Sequence, residues 1–180
     1  MDWIQAALQE ADMLHSSEEI DVALDRMAQS ITQKLVDTNP LVLAVMIGGL
    51  IPAGRLLPKL AFPLELDYIH ATRYRGSTRG FSLQWRARPL SPIRDRVVLL
   101  IDDILDEGIT LGAIFELCVK EGARAVYSAV LVEKRHNRKP VIKHADFTGL
   151  EVDDRYVFGC GMDYKGYLRN VAGIYAVKGL

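Results

Sequence analysis

The stretch that decides the fold is residues 97–112, which read VVLLIDDILDEGITLG. Its first five residues, 97–101, are all apolar, and a short uninterrupted apolar run predicts a strand buried on both faces, as in a parallel sheet. Two adjacent carboxylates, Asp102 and Asp103, follow the run, and a short loop over 106–110 comes next. Apolar residues at helical spacing then predict a helix. The stretch therefore predicts a strand–loop–helix unit of an α/β protein.

This unit has the chemistry of a sugar phosphate site. In open α/β sheets, ligands bind beyond the carboxyl ends of the strands, and helix N-termini hold anions there. The paired carboxylates Asp102 and Asp103 suit ribose hydroxyls or a divalent cation. Gly108 permits a tight loop, and Thr110 supplies a hydroxyl donor and a candidate helix cap, so the loop suits one phosphate monoester.

The same run resembles the phosphoribosyl diphosphate (PRPP) signature of type I phosphoribosyltransferases, which is four apolar residues, two acids, two apolar residues and Asp-Thr-Gly-x-Thr. The chain keeps both acids, Asp106, Gly108 and Thr110, and departs at Glu107, where the family usually has a small hydroxyl residue. A buried strand followed by a solvated acidic turn is the alternative interpretation. The complete ordered pattern favours the resemblance.

Composition predicts a single intracellular domain. The chain has 180 residues, of which 49% are hydrophobic and 25% charged, and its formal net charge is −1. This charge does not favour a nucleic-acid or membrane partner through bulk electrostatics. Two cysteines without metal spacing fit a reducing cytoplasm. No stretch has the apolar length of a membrane helix, and polar residues interrupt the N-terminal apolar runs, so we predict a cytoplasmic protein without a signal peptide.

Strands and helices alternate along the chain, which predicts a parallel twisted sheet flanked by helices. The predicted helices and strands are listed in chain order: helices 3–14 and 16–36, strand 41–46, helix 51–60, strand 64–71, strand 97–101, the helix after Gly108 and strand 125–132. The arginine-rich segment 72–92 is interpreted as a functional or mobile loop, or as a pair of exposed strands, and a hairpin can also serve as a lid. Residues 147–177 show short strand-like pieces.

A second stretch indicates the branch of the family. Residues 152–164, with Tyr167-Leu168-Arg169-Asn170, resemble the C-terminal motif of hypoxanthine-guanine phosphoribosyltransferases. This motif separates enzymes for 6-oxopurines from their orotate, uracil and adenine relatives. The resemblance implies a type I phosphoribosyltransferase fold over 1–180, with N-terminal helices in 1–38, a mobile lid or hairpin in 72–92, and a small hood with the C-terminal segment in 147–180.

The resemblance also implies roles for the base-binding residues. Tyr156 matches the aromatic residue that stacks on the purine, and Val157 the residue whose backbone reads the base edge. Lys134 matches the lysine that donates to O6 and so excludes adenine, whose 6-amino group is itself a donor. Asp163, counted with the purine-binding residues, matches an acid that helps to hold a magnesium ion near the pyrophosphate. Alternatively, Tyr156 is an ordinary strand aromatic and Lys134 part of a solvated basic run.

Pyrophosphate and lid residues follow from the same resemblance. Arg169 matches a pyrophosphate-binding arginine, although with Asp163 it could instead form a surface ion pair of little energetic value. The run Met46-Ile47-Gly48-Gly49 matches the pyrophosphate loop, in which the family often has a non-proline cis peptide. Ile47 stands where the family commonly has lysine. Arg73 and Tyr74 match the Ser-Tyr of the mobile lid, with arginine in place of serine.

The implied reaction transfers the phosphoribosyl group from PRPP to N9 of hypoxanthine or guanine with Mg²⁺ as cofactor. Asp106 would contact N7 as general base or acid, and Asp102 and Asp103 would hold the ribose hydroxyls and assist magnesium. The 5′-phosphate would be bound by six consecutive residues: Asp106, Glu107, Gly108, Ile109, Thr110 and Leu111. Because an inward carboxylate would repel phosphate, we predict that the Glu107 side chain points outward.

The sequence leaves two alternative functions open. The first alternative is a PRPP- or nucleotide-binding regulator that acts on nucleic acid, for which the basic segments 73–88 and 134–139 argue, although the net charge makes nucleic acid an unfavoured partner. The second is a member that binds purine nucleotides without turnover, indicated by Ile47 and Glu107. For the assembly, the resemblance implies a homodimer or homotetramer.

Overall fold

A computed structural model describes residues 2–73 and 83–179. It contains four α-helices within these ranges: α1 (Asp2–Glu10), α2 (Ser17–Leu35), α3 (Leu50–Leu56) and α4 (Ile109–Lys120). A single 3₁₀ turn, Leu57–Lys59, extends α3. The predicted capping box of α2 is confirmed, because Ser16 and Glu19 each accept a hydrogen bond from the other's backbone N–H. Within the described residues, no helix is long and apolar enough to cross a membrane.

The strands of the described residues form two sheets. In chain order they are β1 (Asp12–His15), β2 (Leu41–Met46), β3 (Glu65–Arg73), β4 (Leu83–Ala87), β5 (Val97–Leu105), β6 (Ala125–Arg135), β7 (Phe147–Asp153), β8 (Val157–Phe158) and β9 (Ile174–Ala176). The larger sheet has the order β4-β3-β2-β5-β6-β7, and only the β3–β4 pair in it is antiparallel. The smaller sheet, β1-β9-β8, is antiparallel and forms the hood. The predicted α/β fold with a mostly parallel sheet is confirmed.

Strand β5 is buried on both faces, as its apolar run predicts. Val97, Leu99 and Ile101 belong to the core that α2 and α3 cover. Val98 and Leu100 belong to the opposite core, which α4 covers. Since burying one such side chain contributes about 1.5–3 kcal/mol, these five residues fix β5 in the centre of the sheet.

The parallel register brings the carboxyl ends of three strands to one edge. Ala44 of β2 pairs with Ile101 of β5, and Asp102 pairs with Val130 of β6. The residues that follow these positions therefore meet beyond the same edge of the sheet, which is where α/β proteins bind ligands.

Several predicted boundaries differ from the structure because pairing between distant segments decides them. Residues 12–14 continue no helix, since β1 pairs with β9 across the hood. Residues 147–153 were predicted to belong to the hood and instead add strand β7 to the main sheet, parallel to β6. The helix predicted over 51–60 ends at Leu56. In the segment 72–92, β3 and β4 form a hairpin, and residues 74–82 lie outside the described residues.

Candidate active site at the carboxyl edge of the sheet

A cavity of about 540 Å³ opens at the carboxyl edge of the main sheet. It collects most of the residues that the sequence predicts for the site: Ile47, Gly48, Asp102, Asp103, Asp106, Gly108, Ile109, Thr110, Leu111, Tyr156, Asp163 and Arg169. Of the predicted residues whose side chains the structure describes, four are not among its lining: Gly49, Glu107, Lys134 and Val157. Lys134 lines an adjoining cavity of about 530 Å³ that shares Asp106 with the first. Of the predicted lid residues, Tyr74 and the side chain of Arg73 lie outside what the structure describes.

The two carboxylates at the end of β5 are buried. Asp102 and Asp103 are 9% and 8% exposed. Asp102 accepts a hydrogen bond from the Asp103 backbone N–H at 2.9 Å, and Asp103 accepts one from the Ile104 N–H at 2.8 Å. Burial raises the pKa of Asp102 well above its ordinary value, and the neighbouring Asp103 charge raises it further. Burial also raises the pKa of Asp103, which Arg169 partly offsets. A paired, buried acid of this kind suits hydroxyl groups or a cation.

Asp102→Asn should raise the free energy of unfolding by about 1–2 kcal/mol in magnesium-free buffer, because the amide keeps the shape of the side chain and removes the cost of burying an ionisable carboxyl group. Thermal unfolding at pH 7 would measure the gain as a higher Tm. The exposed Asp153 lies outside the cavity lining, so Asp153→Asn is a matched control that should change stability by less than about 0.5 kcal/mol. A lower Tm for Asp102→Asn would mean that the charge of Asp102 stabilises the fold.

The loop before α4 has the backbone that a phosphate site needs. Gly108 has φ +73° and is the N-cap of α4, and as a glycine it supplies no side-chain cap to this helix end. Thr110 is therefore not the cap that the sequence predicts: the helix has already begun at Ile109, and Thr110 lies in its first turn. An added Cβ at Gly108 would lie 2.8 Å from the backbone nitrogen of Ile142, so both the conformation and the packing require glycine. The first-turn amides of α4 remain available to an anion.

The predicted outward orientation of Glu107 is confirmed. Its carboxylate lies 3.3 Å from Nε of Arg138 and does not line the main cavity. Its backbone carbonyl accepts a hydrogen bond from the Val141 N–H at 2.8 Å. Glu107 is thus held on the outer side of the loop through both its side chain and its main chain.

The loop between β2 and α3 approaches the acidic pair closely. The Met46–Ile47 peptide bond is cis, and the Gly49 N–H donates to the Val45 carbonyl at 2.8 Å. A Cβ at Gly48 would lie 2.0 Å from Oδ2 of Asp103. A side chain at position 48, where the loop backbone borders the cavity, would therefore require the Asp103 carboxylate or the loop to move.

Arg169 connects the hood to the end of β5. Its Nη2 donates to Asp163 at 2.5 Å, its Nη1 donates to the Gly161 carbonyl at 2.5 Å, and Nη1 lies 3.6 Å from Oδ2 of Asp103. Asp163 also accepts a hydrogen bond from the Gly166 N–H at 2.7 Å. Arg169 is therefore a cation fixed beside the acidic pair, in a position to meet an anionic ligand.

An aromatic face and a buried lysine line the other side of Asp106. Tyr156 is 42% exposed, borders the main cavity and packs edge-on against Tyr164 at a centroid distance of 5.5 Å. Val157 is buried in β8. Nζ of Lys134 lies 3.4 Å from Oδ2 of Asp106, and the lysine side chain is only 12% exposed. Lys134 is thus a largely buried partner of Asp106 rather than a solvated surface lysine.

Two residues that the sequence did not single out, His136 and Arg138, contact Asp106, and Arg138 also contacts Asp154. Nη2 of Arg138 donates to Oδ1 of Asp106 at 2.5 Å, and Nε2 of His136 lies 3.3 Å from the same oxygen. Arg138 also forms a forked pair with Asp154. Hydrogen bonds from Asp154 and Asp106 raise the pKa of Arg138, and Arg138 lowers the pKa of Asp154. These contacts could not be predicted from the sequence, because a basic run such as 134–139 usually indicates a solvated surface.

Comparison with known proteins agrees with this geometry. Residues 10–165 match the profile of the phosphoribosyl transferase domain. The hypoxanthine-guanine phosphoribosyltransferase of Bacillus subtilis (strain 168) is 33% identical over 167 residues, which cover 92% of each chain. The chain belongs to the hypoxanthine-guanine phosphoribosyltransferase family.

Other members of the phosphoribosyltransferase family extend the match. The hypoxanthine-guanine-xanthine phosphoribosyltransferase of Tritrichomonas foetus is 27% identical over 92% of this chain and 91% of its own. A crystal structure of a hypoxanthine phosphoribosyltransferase from Staphylococcus aureus superimposes with a TM-score of 0.88 and 24% identity, covering 94% of this chain and 93% of that one. The phosphoribosyltransferase fold predicted from residues 97–112 and 152–170 is thereby confirmed.

Proposed function

We propose that this chain transfers the 5-phosphoribosyl group of PRPP to N9 of hypoxanthine or guanine, producing IMP or GMP and pyrophosphate. The observation that carries the proposal is the 3.4 Å separation between Nζ of Lys134 and Oδ2 of Asp106, beside the exposed ring of Tyr156. A 6-oxopurine presents N7 and O6 side by side on one edge. An acid and a lysine in contact match those two atoms, with the aromatic ring against the face of the base.

The sugar phosphate would occupy the main cavity. The amides at the start of α4 and the Thr110 hydroxyl would bind the 5′-phosphate, and Asp102 and Asp103 would accept hydrogen bonds from the ribose hydroxyls. The diphosphate would lie between the Gly48–Gly49 backbone and Arg169, a cation whose Nη1 is 3.6 Å from Oδ2 of Asp103. This arrangement sets C1′ between the diphosphate and the base.

In the proposed step, the bond from N9 to C1′ forms while the bond from C1′ to the diphosphate oxygen breaks. Asp106 takes the proton from N7 of the base, and the electron pair of the broken bond leaves with pyrophosphate. Lys134 holds O6 and keeps the base in the plane that N9 attack requires, and Arg169 offsets the charge that develops on the leaving group. Tyr156 offers a stacking surface worth about 1–3 kcal/mol per base.

Magnesium fits the residues present. Asp102, Asp103 and Asp163 all line the cavity, and carboxylate oxygens are ligands that Mg²⁺ prefers. The described residues contain no group of three or more His, Cys, Asp or Glu that could hold a metal ion by itself. This fits a cation bound by one or two carboxylates, water and diphosphate oxygens. When bound, magnesium would neutralise diphosphate charge and so improve the leaving group.

Pyrophosphate release from PRPP and Mg²⁺ tests the function. We expect turnover with hypoxanthine or guanine and rates at least about 10²-fold lower with adenine, because Lys134 would meet the 6-amino group as donor against donor. Xanthine, orotate and a reaction without base complete the panel. Binding of GMP without pyrophosphate release from any base would instead support the non-catalytic nucleotide-binding alternative.

Assembly and location form a separate proposal. The family resemblance supports a homodimer or homotetramer, which sedimentation equilibrium would test. The two cysteines, Cys118 and Cys160, are buried and unpaired, which supports a reducing cytoplasm. Fractionation of the source cells would test the location.

A further inference from the structure

We propose that Arg138 is a positioning residue for the 5′-phosphate loop: it holds the Glu107 carboxylate on the outer side of the loop and offsets its charge. The inference rests on the proposed function in one respect, namely that residues 106–111 bind a sugar phosphate. It concerns Glu107, the position at which this chain departs from the family signature. The sequence alone assigns no role to Arg138, which is one of several basic residues in the run 134–139.

The guanidinium of Arg138 directs every nitrogen toward a carboxylate. Nε lies 3.3 Å from Oε1 of Glu107, Nη1 lies 2.5 Å from Oδ2 of Asp154, and Nη2 lies 2.5 Å from Oδ1 of Asp106. A planar fork with fixed donor directions suits such a bridge better than an ammonium group would. Arg138 therefore joins three acids that belong to two separate segments, the phosphate loop and the turn after β7.

The backbone beside Arg138 braces the same loop. The Val141 N–H donates to the Glu107 carbonyl at 2.8 Å. The space in which Gly108 would carry a Cβ is filled by Ile142, whose backbone nitrogen is 2.8 Å away. The segment 138–142 thus forms the outer wall of the phosphate loop, and Arg138 supplies the charge of that wall.

A cation is needed in this outer wall because the Glu107 carboxylate lies in a loop that would bind a negatively charged phosphate. A phosphate monoester carries a charge of about −1.5 to −2 near neutral pH, and its oxygens would lie on the amides of residues 107–111. Glu107 is the first of these residues, and its side chain is 33% exposed. Without the Arg138 partner, the side chain would be a free anion beside a dianionic ligand. Ligand affinity should therefore depend on Arg138 only while Glu107 is charged.

Arg138 could instead act through Asp106 or Asp154, since it contacts both more closely than it contacts Glu107. Those routes do not involve the Glu107 side chain. Their effects would be equal whether residue 107 carries a carboxylate or a hydroxyl. A double-mutant cycle between positions 138 and 107 consequently separates the proposal from its competitors.

The test compares four proteins: the wild type, Arg138→Gln, Glu107→Thr and the double variant. Isothermal titration calorimetry with ribose 5-phosphate measures the phosphate loop independently of the base, and GMP serves as the second ligand. We expect Arg138→Gln to raise the Kd of both ligands about 10-fold in the Glu107 background and less than about threefold in the Glu107→Thr background. Arg135→Gln, which removes a neighbouring arginine paired with Glu151, is the control and should leave both Kd values within about twofold.

Equal losses in the two backgrounds, or no loss in either, would overturn the proposal. Circular dichroism would establish that each variant is folded. Should Arg138→Gln not fold, Arg138→Lys replaces it, because a single ammonium cannot hold all three acids, and an approximately threefold loss confined to the Glu107 background is then expected. Pyrophosphate release by the wild type is measured separately. Its absence would count against the proposed function, whereas the ribose 5-phosphate cycle would still decide the role of Arg138.

Discussion

Asp106→Asn should lower kcat with hypoxanthine by about 10²–10³-fold, because an amide cannot accept the N7 proton that the proposed step transfers. The substitution preserves the size of the side chain and leaves one carbonyl oxygen to face Lys134 or Arg138. The loss should therefore appear in the chemical step. Single-turnover measurement of IMP formation, with enzyme in excess over hypoxanthine, would isolate that step from product release.

Binding of GMP separates this chemical role from a structural one. N7 of the nucleotide carries no proton and accepts hydrogen bonds, so an asparagine amide can donate to it where a carboxylate cannot. We expect the Kd for GMP to remain within about threefold or to fall. Asp153→Asn, at the last residue of β7 and outside the lining of the main cavity, should retain full turnover. A parallel loss of GMP affinity and kcat for Asp106→Asn would assign Asp106 to positioning of the loop.

Local sequence patterns predicted the elements that position the site. The apolar run 97–101 fixed the central strand because both of its faces are covered by core residues. The helix beginning after Ser16 was predicted to within one residue of its observed start because its capping box acts within four consecutive residues. The order of Asp102, Asp103, Asp106 and Gly108 is likewise local, and it placed the cavity correctly at the carboxyl edge.

Strands that form only by pairing with segments distant in sequence could not be predicted from local patterns. Residues 12–15 gain their strand from pairing with 174–176, and β7 gains its place from pairing with β6. Neither partner is identifiable from the local pattern. Local propensity for a short helical continuation is outweighed by the hydrogen bonds of such a ladder.

The charged residues around Asp106 are likewise brought together by the fold and not by a local sequence pattern. Lys134, His136 and Arg138 occur in a run typical of a solvated face, yet all three lie against one carboxylate. The chain after β6 turns back along the phosphate loop, and this return is what converts the run into a set of contacts. Glu107, which departs from the family pattern, pairs with one of these cations.

Gly48→Ala should lower kcat/KM for PRPP by at least about 10²-fold, since a displacement of 1 Å at a reacting centre is sufficient for a loss of this size. The added Cβ would lie 2.0 Å from Oδ2 and 2.4 Å from Cγ of Asp103. Asp103 is not free to withdraw, because it accepts the Ile104 N–H and faces Arg169. Retreat of the loop is also restricted, because the Gly48 carbonyl packs closely against Gly161. A Cβ added at Gly161 would lie only 2.3 Å from that carbonyl oxygen.

Either adjustment would damage the pyrophosphate site, so the substitution should affect PRPP more than GMP, which lacks the diphosphate at C1′. The Kd for GMP should rise less than about fivefold, and the Tm should fall by a few degrees, the size expected for overpacking of about 1–3 kcal/mol. Gly54→Ala is the matched control: Gly54 is an exposed residue of α3, and none of the described atoms outside the helix lies within 4 Å of an added Cβ. It should raise stability by about 0.5–1 kcal/mol through helix propensity and leave kcat/KM within twofold. If Gly48→Ala kept its kcat/KM for PRPP, the loop at 46–49 would have no part in binding pyrophosphate, and Arg169 would remain as the candidate for that role.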